Sequence, residues 1–219
     1  MTERTAVLEP PKPRFRGRLH QIAFFASIPQ GIAVLVAAAS WASRIAAGIY
    51  AVSVTGLFAV SSAYHRLRWT PKGLARIRRA DHAMIFVLIA GSYTPFALLV
   101  LQGIWALTLL AVVWAGAVFG IAMKVFRMER SGTIGGALYI ILGWAAIVAL
   151  PKLVTNLSHL NLILLFAGGV LYTGGAVILL RRRPDPRPAV FGYHEIWHAM
   201  VVAASLCHYV AIMLLLTSV

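Results

Sequence analysis

The chain has 219 residues, of which 60% are hydrophobic and only 12% are charged, and its mean hydropathy is +0.82. Soluble domains carry roughly 25% charged residues, so this composition argues against one and indicates an integral membrane protein. The formal net charge of +14 would suit a nucleic-acid partner. The basic residues lie between apolar segments, however, where they set topology and contact anionic lipid. We therefore expect membrane lipids, and no nucleic acid, as partners.

Seven apolar segments follow a basic, polar tail at residues 1–20, and each is long enough to cross a bilayer, which takes about 20 residues. Each segment must be helical, because lipid offers no hydrogen-bond partner to open backbone groups. The predicted spans are 21–40, 45–65, 81–101, 104–124, 133–154, 158–180 and 194–217. The sequence thus predicts an all-α, seven-transmembrane helix bundle, formed by residues 21–219 as one domain.

The basic residues predict how this bundle is oriented. All but two of the 20 lysines and arginines fall on one side of it, the exceptions being Arg44 and Lys152. Because positively charged loops stay in the cytoplasm, we expect a cytoplasmic N-terminus and an outside C-terminus.

The rare polar side chains lie at the span ends on this cytoplasmic side. Ser61 and His65 close the second span, Asp81 opens the third, and His194 and His198 open the last. In each pair the residues are four positions apart, which places them on one helix face. The sequence therefore predicts a functional site where these three span ends meet.

Three of these residues have the chemistry of a metal site. The segment His194-Glu195-Ile196-Trp197-His198 has the spacing at which two imidazoles bind one metal ion. His65 would supply a third nitrogen and leave an open coordination position, as in catalytic zinc sites. Zn²⁺ lowers the pKa of a bound water, and a nearby carboxylate can accept its proton. We predict Zn²⁺, although other divalent metals can occupy such a site.

Two carboxylates are candidates for the group that accepts the proton of the metal-bound water. Glu195 would be the base if the motif were that of a metalloprotease, but His208 lies about 15 Å further along the helix and cannot complete such a site. Asp81 is therefore the predicted partner of the metal-bound water; as alternatives it caps its helix or pairs with a neighbouring arginine. Glu195 is predicted to be exposed or paired with an arginine. The other histidines are predicted to lie outside the catalytic site: His20, His82, His159 and His208.

Three segments carry a resemblance to a known family: residues 61–65, 89–96 and 191–198, which read SSAYH, IAGSYTPF and FGYHEIWH. With Asp81, they resemble the hemolysin III family, the bacterial branch of the progestin and adipoQ receptor superfamily. The resemblance implies zinc held by His65, His194 and His198, with Asp81 contacting the metal-bound water and Ser61 in support. It also implies kinship with alkaline ceramidases and a location in the bacterial inner membrane.

Three functions are compatible with these observations. The first is a zinc-dependent hydrolase that acts on a lipid amide or ester. The second is a non-enzymatic regulator of membrane state, or a cytolytic (hemolysin) membrane protein, in which zinc is a structural link between the second and seventh spans. The third, an intramembrane protease, depends on Glu195 alone.

Overall fold

The computed structural model describes residues 13–126 and 132–218 of the chain. Eight α-helices and one 3-10 helix, Ala145–Ala149, account for nearly all of this part. The α-helices are α1 Arg18–Ala37, α2 Trp41–Arg66, α3 Pro71–Leu99, α4 Gly103–Phe126, α5 Gly132–Gly143, α6 Leu150–Asn156, α7 His159–Arg181 and α8 Tyr193–Thr217. Seven helical segments are long and apolar enough to span a membrane, the fifth being Ile134–Asn156. The predicted all-α, seven-span bundle is confirmed.

The spans form a ring in chain order. Each packs mainly against its neighbours in sequence, and α1 packs against α8 to close the ring. The tight connections between the first two spans and between the third and fourth are present, the first shifted by about three residues and the second by one or two from the predicted positions. This order places α1 between α2 and α8, the two helices that carry the predicted metal ligands. Of the basic residues that predict the orientation, those in 1–12 and 127–131 lie outside the described residues.

The third helix starts earlier than predicted, at Pro71 and not at Asp81. The Thr70 hydroxyl caps it by accepting a hydrogen bond from the Gly73 backbone N–H at 3.2 Å, and proline is well suited to the first helical position. Asp81 lies about 15 Å along the helix from this start. The alternative that Asp81 is a helix cap is therefore wrong, because Thr70 has that role.

The fifth span is not the continuous helix that the apolar segment 133–154 predicts. It consists of α5, the 3-10 helix and α6, because Pro151 in the first turn of α6 cannot donate a backbone hydrogen bond and disfavours a helix running into it. The Tyr93 hydroxyl fills the break. It donates to the Gly143 carbonyl oxygen at 2.7 Å and accepts from the Ala146 N–H at 3.0 Å. Backbone groups freed inside a membrane need such partners.

The outer surface of the ring is apolar. Large side chains such as Val36, Val52 and Leu180 are 73–80% exposed, which would be unfavourable in water but matches a lipid surface. The interior is filled by buried apolar residues of several spans, among them Tyr50 and Phe86. Together with the seven spans, this surface identifies the chain as a multi-pass membrane protein.

Candidate metal centre

Three histidines converge at one end of the bundle. His65 is the next-to-last residue of α2, and His194 and His198 lie in the first two turns of α8. One ring nitrogen of each lies within 4.8 Å of the other two, and the Nε2 atoms of His65 and His194 are 3.2 Å apart. The structure thus brings the three predicted ligands together into a group that can hold a metal ion.

The geometry and the donor set fit zinc. Two imidazole nitrogens at about 2.0–2.1 Å from one zinc ion in tetrahedral coordination lie roughly 3.4 Å from each other. The separation of 3.2 Å between the His65 and His194 nitrogens is close to this value. His198 completes the set from a position where it is only 3% exposed. Three nitrogen ligands leave the fourth position of a tetrahedral ion open.

His20, which the sequence predicts to be non-catalytic, packs directly against this group of histidines. Its ring stacks on that of His198, with centroids 3.7 Å apart and planes inclined by 10°. Its Nδ1 atom is 2.8 Å from the Ser61 hydroxyl oxygen, and its side chain is buried. The sequence did contain an indication of this position, because α1 begins on the same side of the bundle as α3 and α8.

Ser61 connects His20 to the predicted carboxylate. Its hydroxyl lies 2.8 Å from the His20 Nδ1 atom and also interacts with the side chain of Asp81. An ionised carboxylate only accepts hydrogen bonds, so a Ser61 hydroxyl that donates to Asp81 would accept from the His20 tautomer that carries its proton on Nδ1. The result is a directed sequence of hydrogen bonds from α1 through α2 to α3.

Asp81 does not form the ion pair with a neighbouring arginine that was one alternative. Among the described residues, the only ion-pair contact of its carboxylate is with His82 Nδ1 at 3.8 Å, which is too long for a hydrogen bond. The side chain is 15% exposed. Its position beside Ser61 leaves it near the metal ligands, and not bound to a surface cation.

Both carboxylate oxygens of Glu195 have partners outside the group of three histidines. One carboxylate oxygen accepts a hydrogen bond from Arg16 Nε at 2.6 Å, and the other accepts one from the Gly192 backbone N–H at 2.9 Å. The side chain is 1% exposed, so the prediction of an exposed acid is wrong and that of an arginine-paired acid is confirmed. With both oxygens engaged, Glu195 stabilises the start of α8 and the N-terminal segment.

That N-terminal segment, residues 13–17, lies across the site. The backbone N–H groups of Arg14 and Phe15 donate to the carbonyl oxygens of Ala189 and Val190 at 3.0 and 3.1 Å. At the start of α1, Gly17 has a φ of 76° and passes so close to His65 that a Cβ atom would overlap its side chain. Glycine is needed here for both its left-handed conformation and its small size.

The remaining histidines are not part of the three-histidine group. His82 contacts the Arg78 carbonyl oxygen at 2.9 Å within α3, and His159 is exposed at the start of α7. His208 packs deep in the bundle against Tyr172, with ring centroids 5.6 Å apart, and against Gly168.

Comparison with known proteins assigns the chain to a family. The family model described as Haemolysin-III related matches residues 8–209. The Hemolysin-3 of Bacillus cereus is 36% identical over 189 residues, which cover 85% of this chain and 83% of that protein. The Hemolysin-3 homolog of Bacillus subtilis (strain 168) is 34% identical over 190 residues and 85% of each chain.

A more distant relative links the chain to animal proteins. The Monocyte to macrophage differentiation factor of Homo sapiens is 28% identical over 175 residues, 77% of this chain and 69% of that protein. This match fits the wider progestin and adipoQ receptor superfamily that the sequence motifs indicated. From these matches and the seven-span fold, we conclude that the chain belongs to the hemolysin III family of integral membrane proteins.

Proposed function

We propose that this protein is a zinc-dependent membrane hydrolase that cleaves a lipid amide or ester. The observation that supports it most strongly is the convergence of His65, His194 and His198, each offering a nitrogen within 4.8 Å of the others. A carboxylate, Asp81, lies beside the same site through Ser61. The net charge distribution favours a site at the cytoplasmic face, and we propose the bacterial inner membrane as the location.

In this proposal the three histidines would hold Zn²⁺, which would supply the Lewis acidity that polarises a carbonyl and activates water. The Asp81 carboxylate would accept a proton at one oxygen from the water that adds to the acyl carbon, and would deliver it to the leaving oxygen or nitrogen as the acyl bond breaks. The Ser61 hydroxyl holds the other carboxylate oxygen in place. His20 fixes the Ser61 hydroxyl from one side and supports the His198 ring by stacking.

The arrangement favours catalysis over a purely structural metal for a chemical reason. Structural zinc sites are usually closed by four protein ligands, whereas catalytic sites have three and an open position. Here three histidine nitrogens form the group among the described residues. Asp81 interacts with Ser61 and lies outside the histidine group, so in this proposal its carboxylate is available for proton transfer.

The experiment compares purified wild type with Asp81→Asn and His198→Ala, and with His159→Ala as a control at the opposite side of the bundle. Each protein is incubated with a panel of ceramides and glycerophospholipids, released fatty acid is measured by mass spectrometry, and zinc content is measured in parallel. Asp81→Asn should retain zinc and lose roughly 10²–10⁴-fold in turnover, the usual contribution of a general acid–base. Unchanged turnover in zinc-loaded Asp81→Asn would rule out this role.

One observation favours a second function, a non-enzymatic regulator of membrane state or a cytolytic protein. The helices α2 and α8 both pack against α1 and have few direct contacts with each other, so a metal shared by His65 and His194 would add a link between them. Metal binding energy then becomes folding energy. In that case chelation would unfold the bundle, Asp81→Asn would be harmless, and liposome leakage would increase with the amount of pure protein if the function is cytolytic.

A further inference from the structure

A cleft of about 420 Å³ opens beside the metal centre. One wall is formed by the N-terminal segment, residues 13–17, and the other by the end of α2 and the residues that follow it. His65, a candidate metal ligand, contributes to this wall. The charged side chains lining the cleft are all arginines: Arg14, Arg16, Arg66 and Arg68. The cleft therefore combines strong positive charge with direct access to the metal site.

Only one of these arginines has a carboxylate partner within the described part of the chain. Arg16 pairs with Glu195 at 2.6 Å. The two other described carboxylates are engaged elsewhere, Asp81 with Ser61 and Asp185 with the Tyr193 backbone N–H at 3.1 Å. Residues 13–126 and 132–218 thus provide no carboxylate to balance the other three arginines.

The positive-inside rule explains why arginines lie on this side of the membrane, but it does not require them to surround a cleft. Guanidinium groups bind phosphate oxygens in pairs of parallel hydrogen bonds, and several arginines around one cavity form a typical phosphate site. The cleft therefore has the chemistry to recognise a phosphate group.

The residues around the cleft indicate that the phosphate-bearing ligand is a lipid. Leu67, between Arg66 and Arg68, is 57% exposed, and the adjacent Trp69 is 39% exposed. Tryptophan is enriched at the membrane–water interface. The Trp69 indole N–H donates to the Ala63 carbonyl oxygen at 3.0 Å, which fixes the ring at the end of α2. Arginine and exposed apolar side chains thus alternate here, as expected for a surface that contacts both headgroups and acyl chains.

We propose that this cleft binds the phosphate of a lipid headgroup and that the substrate class is a phosphate-bearing lipid. The claim that this lipid is a substrate rests on the proposed hydrolase function, whereas the claim that the cleft binds its phosphate does not. In a glycerophospholipid the acyl linkages lie only a few bonds from the phosphate. A phosphate held by Arg14, Arg66 and Arg68 would place such a linkage next to His65 and the metal.

The test measures binding with probes that cannot be hydrolysed. Zinc-loaded wild-type protein in neutral detergent is titrated by calorimetry with a short-chain, ether-linked phosphatidic acid, with the matching ether-linked diacylglycerol, and with inorganic phosphate. The variant Arg66→Gln/Arg68→Gln removes two cleft charges. Arg76→Gln/Arg181→Gln removes two charges outside the cleft and is matched, since Arg66 and Arg181 each end a helix. If the cleft double variant does not fold, the single variants Arg68→Gln and Arg76→Gln replace the pair.

We expect the phosphatidic acid to bind at least tenfold more tightly than the diacylglycerol, and the cleft variant to lose tenfold or more of that affinity. The matched control should change less than twofold. Equal binding of the two lipids, or equal losses in the two double variants, would overturn the proposal. If inorganic phosphate binds as tightly as phosphatidic acid, the proposal of a lipid ligand is wrong and the cleft is a site for free phosphate.

The two proposals fail in distinguishable ways. If phosphatidic acid binds in the cleft as expected but no ester-linked lipid is hydrolysed, the hydrolase function is wrong and the cleft is a lipid-binding site. If lipids are hydrolysed with normal efficiency by the cleft variant, the phosphate site is wrong and the metal-dependent function stands.

Discussion

Replacement of His20 tests whether α1 is part of the metal centre. His20→Phe keeps an aromatic ring against His198 but removes the Nδ1–H that donates to Ser61. His20→Ala removes both the stacked ring and the hydrogen bond. The two contacts are close, 3.7 Å between ring centroids and 2.8 Å from Nδ1 to the Ser61 oxygen, so each variant eliminates a defined interaction.

The expected loss of zinc affinity follows from the role of His20 in orienting the His198 ring and the Ser61 hydroxyl. Groups that orient metal ligands typically contribute 10–100-fold to metal affinity, about 1.4–2.7 kcal/mol. We expect His20→Ala to weaken zinc binding within this range, because the His198 ring loses the surface that fixes its plane. His20→Phe should bind zinc nearly as well as wild type but lose turnover, since Ser61 no longer has its donor and Asp81 is held less firmly.

The assay is competition for zinc between the purified protein and a fluorescent chelator, with thermal unfolding measured on the same samples. His159→Ala and His159→Phe serve as controls, because His159 is exposed at the start of α7. Zinc affinity of folded His20→Ala equal to that of wild type would refute the argument. So would equal turnover of His20→Phe and wild type under conditions in which Asp81→Asn is inactive.

Three further substitutions test the supporting structure. Glu195→Gln should keep zinc bound and lower stability by about 1–3 kcal/mol, because Arg16 and the α8 start lose a charged partner; loss of zinc from the folded variant would contradict this purely supporting role. Tyr93→Phe should lower the unfolding temperature, since the Gly143 carbonyl and a nearby N–H lose their partner in the broken fifth span, while zinc content stays unchanged. Gly120→Ala would insert a methyl group into a buried phenylalanine ring and should cost about 1–3 kcal/mol, as measured by unfolding in detergent.

Much of the fold was predictable because lipid restricts the backbone to helices. Apolar length alone located all seven spans, and the charge pattern assigned their polar ends to two sides. The start of α3 was not predictable in this way. Residues 71–80 contain several basic side chains, so hydropathy excludes them from the span, yet the Thr70 cap and Pro71 begin a helix there.

The three candidate metal ligands were predictable because His194 and His198 have a recognised spacing and His65 ends a span on the same side. The role of His20 was not, since its contacts depend on the packing of α1 between α2 and α8, and no local pattern specifies which helices are neighbours. The ion pair of Glu195 was equally unpredictable from the sequence. Its partner, Arg16, lies 179 residues away in sequence and reaches it only through the path of the N-terminal segment.

Metal content most directly tests the central claim, that α2 and α8 share one metal site. Zinc per chain would be determined by mass spectrometry on detergent-purified wild type, His65→Ala and the control His159→Ala. The account predicts about one zinc per chain in wild type and in the control, and loss of that zinc in His65→Ala. A folded wild-type protein that takes up no metal, or a His65→Ala variant that retains it fully, would contradict the account.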